Sequence, residues 1–320
     1  MYYFPSIYHN EYLYSAILRY DRHIGNNDLQ ISFKELFNNG SKISLHREKI
    51  NYFNSRFQRT LKLSIHELLY KNTNIVLSIP FDKGILMYPH KEYLMKFIFP
   101  PSIKKFSLGI ENSESSIHCL KYCIDCFKED FNNYGETYYH LDHQYEGNYF
   151  CKKHSSLLKI AMPTDHNSNL PNFSFDNNNS VDLHIKSDRQ YIELAKLALD
   201  IQLLASNPKY YLDIFNKLRT YNELLIKKGY GFPRSKYIKQ QKLYSDFIEI
   251  FTKETLELLD LYPYIEKEYD WLKRITRNLI YTYKPDLNHV PHLMLIRFMK
   301  NINKDKRKKE IEKRLYRVID

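Results

Sequence analysis

Apolar positions recur at helical spacing near the start of the chain. In "NEYLYSAILRYDRHIG", Leu13, Tyr14, Ile17 and Leu18 fall on one face of a helix, and Gly25 supplies a stop. A second helix is predicted over "ISFKELFNN", ending at Gly40. "SLHREKINYFNSRFQRT" and "SIHELLYKNT" read as further short helices, with Ser44 and Ser64 as candidate N-caps. Short helices joined by tight turns are compatible with a helix-turn-helix, and equally with plain helix packing.

The pattern changes at residue 74. "NIVLSIPF", "GILMYPH" and "KFSLGI" are short, apolar and punctuated by Pro and Gly, which predicts strands or irregular structure. Residues 163–182, "PTDHNSNLPNFSFDNNNSVD", are polar and Asn-rich and read as a linker. Helical spacing then returns. "DRQYIELAKLALDIQLLAS" has apolar residues at Ile192, Ala195, Leu199 and Leu203. "NPKYYLDIFNKLRTYNELLIKKG" has Pro208 early, an apolar face at Leu212, Phe215, Leu218 and Leu225, and Gly229 as its stop. "KQQKLYSDFIEIF", "TLELLDL", "YDWLKRITRNLIYTY" and "NHVPHLMLIRFMKNI" follow, with no internal repeat.

This pattern predicts a mainly α protein. A helical, helix-turn-helix region would span residues 1–110, a Cys/His-bearing module with short strands 111–162, and a linker 163–185. An all-helical domain over 186–320 has room for a second helix-turn-helix.

Composition narrows the class. With 43% hydrophobic and 15% aromatic residues, the 320-residue chain can bury a sizeable core, which excludes a disordered chain. No apolar run reaches the length of about 18 residues that a membrane span needs, and the first residues lack the basic-then-apolar order of a signal peptide. The expectation is a cytoplasmic protein with no membrane partner. A net charge of +11 suggests an anionic partner, double-stranded DNA first. The 29 tyrosines, with abundant Lys and Asn, fit an AT-rich coding sequence as well, so the placement of charge says more than its total.

That placement is uneven. Asn216 to Lys242 holds eight Lys/Arg and one Glu, whereas Phe251 to Asp270 holds two Lys and six Asp/Glu. The basic stretch ends one helix, turns at "GYGFPRS" and enters another. Lys227, Lys228, Arg234, Lys236, Lys239 and Lys242 are therefore the candidate DNA-contacting residues, against the alternative of a solvated helix pair.

The densest chemistry lies in "YCIDCFKEDFNNYGETYYHLDHQYEGNYFCKKH". Cys123 and Cys126 form a C-x-x-C pair and Cys151 and His154 a C-x-x-H pair, with 24 residues between the two pairs. Two such knuckles present four tetrahedral ligands to zinc, and three thiolates with one imidazole leave no open position. One structural zinc ion in a zinc-knuckle, zinc-ribbon-like module is the expectation. Cys119 fits neither knuckle and reads as a buried free thiol. His140 and His143 read as structural groups or as supports behind the ligands. The enzymatic alternative resembles the HNH nucleases, with Asp142 and His143 as the catalytic pair. Against it, Asn148 follows too soon for that pattern, and the second histidine it needs would be His154. No phosphate-binding loop, dinucleotide fingerprint, H-E-x-x-H or G-x-S-x-G motif occurs.

The same segment resembles the zinc segment of the TnsD/TniQ transposition proteins, which runs as a C-P-x-C pair, "ED", "YGE", an aromatic-His, "HQ", a small turn and C-x-x-H. "PSIYHNEYLYSAILRYDRHIG" is similar to the family's opening stretch, and "WLKRITRNLIYTYKPDLNHVPHLMLIRFM" to its TnsD-type tail, so the resemblance covers most of residues 4–300. Ile124 stands where the family's first knuckle usually has Pro. Some members carry a further knuckle downstream, and "LKIAMPTDH" has no cysteine for one, so one zinc is expected. The resemblance implies a non-catalytic target-site selector of a bacterial transposon, with Cys123, Cys126, Cys151 and His154 as zinc ligands. It implies engagement of target DNA, or of a DNA-bound CRISPR effector, and recruitment of an AAA+ ATPase regulator of the transposase. A homodimer is left open.

Overall fold

A computed structural model of the chain describes residues 3–26, 28–38, 51–53, 63–80, 100–108, 116–164, 170–175, 179–209, 221–232, 238–262 and 288–316, together with 57, 60, 61 and 98. Ser44, Gly40, "GILMYPH", most of "SLHREKINYFNSRFQRT", residues 210–220, Arg234, Lys236 and "YDWLKRITRNLIYTY" lie outside the described residues.

The first helix, α1 (Leu13–Ile24), forms where the apolar spacing places it and ends at Gly25, whose φ of 70° is the left-handed conformation that glycine adopts freely. It is buried along most of its length, Arg19 included. Helix α2 (Leu29–Leu36) is capped by the Asp28 carboxylate, which accepts the Gln30 N–H at 2.9 Å. It stops earlier than Gly40. The chain extends at Phe37–Asn38 (β1) and pairs antiparallel with Asn51–Phe53 (β2), three residues expected to be helical. Phe37 is opposite Phe53 in the ladder register and its ring stacks on Phe33 at 5.1 Å, so α2 and the strand that follows it are packed together. Helix α3 (Ile65–Asn72) opens with a capping box between Ser64 and Glu67. The following Asn74–Leu77, expected to be strand-like, is a 3-10 turn capped by Thr73. Ile75, Val76 and Leu77 are all buried there, so no strand alternation is needed.

Short strands then appear. Ser102–Lys104 (β3) pairs with Ser116–His118 (β4), while Lys105–Leu108 turns as a 3-10 helix. Leu120–Tyr122 (β5), Lys159–Ala161 (β6) and Ser180–Asp182 (β7) form an antiparallel sheet in that order. Helices α4 (Ile124–Tyr134) and α5 (Leu141–Gln144) lie between β5 and β6. The segment read as a linker is partly packed. Its β7 completes the sheet, Leu170 and Phe173 are buried, and the Tyr14 hydroxyl donates to the Pro171 carbonyl at 2.6 Å. Apolar residues spaced among the asparagines seat this stretch on α1.

The C-terminal half is helical: α6 (Asp188–Ser206), α7 (Tyr221–Leu225) running into a wide turn at Ile226–Tyr230, α8 (Gln240–Phe251), α9 (Lys253–Leu258) and α10 (His289–Tyr316). Gly229, at φ 91°, breaks the helical path as its position predicts. Helix α6 is apolar on two faces. Leu194, Leu197, Ala198, Ile201 and Leu204 are buried, while Ile192, Leu199 and Leu203 remain 48%, 61% and 57% exposed. One continuous core runs from Phe4 to Met299. Among the described residues no helix is long and apolar enough to cross a membrane.

Candidate metal centre

The first knuckle sits where β5 enters α4. Cys123 is the N-cap of that helix and Cys126 lies in its first turn, where the helix dipole favours thiolate. The second knuckle is the tip of a hairpin closed by a Phe150–Leu157 bridge, with Cys151 N–H bonded to the Ser156 carbonyl at 2.9 Å. Ser155 takes a φ of 51° there, which returns the chain toward β6 and leaves Cys151 and His154 side by side.

The four side chains converge. His154 Nδ1 lies 3.4 Å from the sulfurs of Cys123 and Cys126 and 3.6 Å from that of Cys151. The Cys126 and Cys151 sulfurs are 3.7 Å apart, and all four cysteines of the chain are free. A tetrahedral ion with metal–sulfur bonds of about 2.3 Å and a metal–nitrogen bond of about 2.0 Å requires edges of roughly 3.8 Å between sulfurs and 3.5 Å from sulfur to nitrogen. These four spacings match those edges, and all four donor atoms lie within 4.8 Å of one another, so the donor set fits a metal ion. The three cysteines are buried with Leu158 in a small cluster of their own, and His154 is half-buried. Such a site is closed to substrate. Two donors feed the sulfurs: the Ser156 hydroxyl, 3.4 Å from Cys123, and the His154 N–H, 3.4 Å from Cys151.

His140 and His143 stand behind this cluster. His140 Nε2 pairs with Asp130 of α4 at 2.8 Å, and its ring stacks on Tyr138 at 4.5 Å and on His143 at 5.0 Å. It thus ties the loop before α5 to the helix that carries Cys126. Asp142 does not orient His143. The Asp142 carboxylate is 3.9 Å from the His143 Nε2, beyond hydrogen-bonding reach, and instead accepts Asn10 Nδ2 at 2.8 Å. His143 is buried, its Nδ1 has no hydrogen-bond partner, and burial pushes its pKa down to about 4. A ring so enclosed offers little access to a phosphate, which weighs against the nuclease alternative.

Two supports were not singled out from the sequence. Lys121 of β5 is fully buried, and its ammonium donates to the carbonyls of Tyr145 and Asn148 at 2.7 and 2.6 Å. Burial lowers its pKa to about 8. Glu136, just after α4, accepts from Arg19, Arg22 and the Tyr8 hydroxyl at 2.5, 2.7 and 2.9 Å, and pairs with His23 at 3.0 Å. Arg19 also reaches buried Glu11 at 2.8 Å, so α1 is fastened to the Cys/His module by charge as well as by packing. On the other side, α10 docks on the turn before the second knuckle. Asn288 donates to the Glu146 carboxylate at 2.7 Å and His289 Nε2 lies 3.0 Å from the Glu146 carbonyl. Gly147, at φ 77°, leaves room there, since a Cβ would fall 2.9 Å from Val290.

Of the basic candidates, Lys227 and Lys242 are exposed and Lys228 and Lys239 half-buried. A Gly231–Ile238 bridge and a 2.7 Å bond from Lys239 N–H to the Tyr230 carbonyl close the turn between them. The Lys239 ammonium lies 5.7 Å from the Phe232 ring centre and that of Lys242 5.4 Å from Tyr230, with Phe232 half exposed.

Two family models match the chain. The TniQ model matches residues 2–158, which contain all four cluster residues, and the Tn7-like transposition protein D model matches residues 197–316. The chain is similar to transposon Tn7 transposition protein TnsD of Escherichia coli, at 23% identity over 287 residues. That alignment covers 86% of this chain and 54% of the relative, so the chain spans about half the length of the curated relative.

Proposed function

The chain belongs to the TnsD/TniQ family, and from that premise we propose that it is a non-catalytic target-site selector of a bacterial transposon, acting in the cytoplasm. The order of the two matches carries this reading: a TniQ part with a Cys/His cluster and a TnsD part share one continuous core. In this reading Cys123, Cys126, Cys151 and His154 hold one zinc ion. Zinc suits three thiolates and an imidazole in a closed tetrahedral set, and as a structural ion it supplies folding energy by tying the two knuckles together beside the small cluster they form with Leu158. The protein engages target duplex, or an effector complex already bound to DNA, and recruits the AAA+ regulator of the transposase. The turn bearing Lys227, Lys228, Lys239 and Lys242 supports the DNA contact: it is basic, and Phe232 and Tyr230 lie beneath two of its ammonium groups.

The test is reconstitution. Bead-bound duplex carrying the element's insertion site, incubated with ATP and the AAA+ ATPase of the same element, should retain the ATPase only when this chain is present. Equal retention without it would refute the recruiting role.

A further inference from the structure

We propose that Glu129 is a positioning residue of the metal centre, holding His154 in the tautomer that presents Nδ1 to the ion. The inference rests on reading the Cys/His cluster as a metal site. It is Nδ1 of His154 that faces all three sulfurs, at 3.4, 3.4 and 3.6 Å. A neutral imidazole offers a lone pair on Nδ1 only when its proton sits on Nε2. Nε2 lies 3.2 Å from Glu129 Oε1, so a carboxylate stands where that proton must be accepted. The other oxygen of Glu129 is held by the Lys153 ammonium, on the residue preceding His154.

The helix explains the geometry. Glu129 follows Cys126 by three positions on α4, which puts both on the side facing the second knuckle. One carboxylate therefore spans the two knuckles, gripping the second through Lys153 and His154 while its own helix carries the first. The adjacent Asp130 turns away to His140. Carboxylate partners of this kind raise the basicity of the ligating ring and fix its orientation.

The experiment compares wild type, Glu129→Gln and Glu129→Ala full-length protein. The site is part-exposed and Ala is a good helix former, so both variants should fold. Competition for Zn²⁺ with a chromogenic chelator should show affinity falling about tenfold to a hundredfold in Glu129→Ala and less in Glu129→Gln. Nitrogen NMR of histidine-labelled, zinc-loaded wild type should show His154 metal-bound at Nδ1 and protonated at Nε2. In folded, zinc-loaded Glu129→Ala the Nε2 proton should lose the downfield shift that a carboxylate acceptor gives it, a change that loss of stability alone would not produce. Zinc bound through Nε2, or equal affinity in all three proteins, would overturn the assignment and leave the metal site standing. Folded wild type that binds no metal would overturn both.

Discussion

The side-chain amide of Gln144 pairs with the backbone of Lys121 on both sides: it accepts the Lys121 N–H at 2.9 Å and donates to the Lys121 carbonyl at 2.7 Å. Strand β5 is the outer strand of its sheet, so Gln144 takes the place that a neighbouring strand would fill. The Lys121 side chain returns the contact through the carbonyls of Tyr145 and Asn148. The loop leading to the second knuckle is therefore held to the strand leading to the first. Lys121→Met keeps the stem but strands two buried carbonyls, and should cost on the order of 1–3 kcal/mol. Urea unfolding measures it, and a variant as stable as wild type would show that the loop is held elsewhere.

Glu136 gives the protein a defined acid sensitivity. Burial alone would raise its pKa, but hydrogen bonds from Arg19, His23 and Tyr8 outweigh it and take the carboxyl from 4.5 to about 2. A depressed carboxyl contributes stability above its unfolded value and loses it as pH falls through the folded one. The loss should fall between pH 4.5 and about 2. Buried Glu11 acts with the opposite sign in another window. Burial, against the pull of Arg19, raises it to about 7, so stability gains from it as pH falls from about 7 to 4.5. Unfolding free energy followed below pH 4.5 should decline less steeply in Glu136→Gln than in wild type. Equal slopes would show that the cluster contributes nothing to acid unfolding.

Removal of the metal should loosen more than the knuckles, because α1 and α10 both dock on the module they close. Cys126→Ser should lose the ion and lower the melting temperature, and chelation of wild type should do the same. Elemental analysis with thermal melting checks this. Full melting stability in a metal-free Cys126→Ser protein would assign the fold to its apolar core alone.

The basic turn makes an electrostatic prediction. Reversing Lys239 and Lys242 to Glu should weaken binding to a duplex of arbitrary sequence. It should also flatten the dependence of log affinity on log salt by about 0.9 for each phosphate no longer neutralised. An unchanged slope would move the DNA-binding surface off this turn.

What was legible in the sequence was local. Gly25 and Ser64 announce helix ends through backbone conformation and capping, which depend on a few neighbours only. The two x-x spacings announce that Cys123 and Cys126, and Cys151 and His154, face alike. What was hidden depends on distant partners. Gln144 beside Lys121, and Glu136 beside Arg19, are separated by 23 and 117 positions and carry no spacing rule. Helix α6 misled because it is apolar on two faces, and only packing around Leu197 and Ile201 decides which is buried. The Asn-rich stretch hid three apolar residues, Leu170, Phe173 and Phe175, whose places on the core no local pattern predicts. Glu129 could have been found, since it follows Cys126 by one helical turn.

The most direct test of target selection is a map of insertions. Cells carrying the element's transposase, its AAA+ ATPase and a marked transposon are sequenced with and without this chain. The account predicts insertions concentrated at one site, or at sites set by one guide, when the chain is present. It predicts that this concentration disappears when the chain is absent or carries Cys126→Ser. The same insertion map without the chain would contradict it.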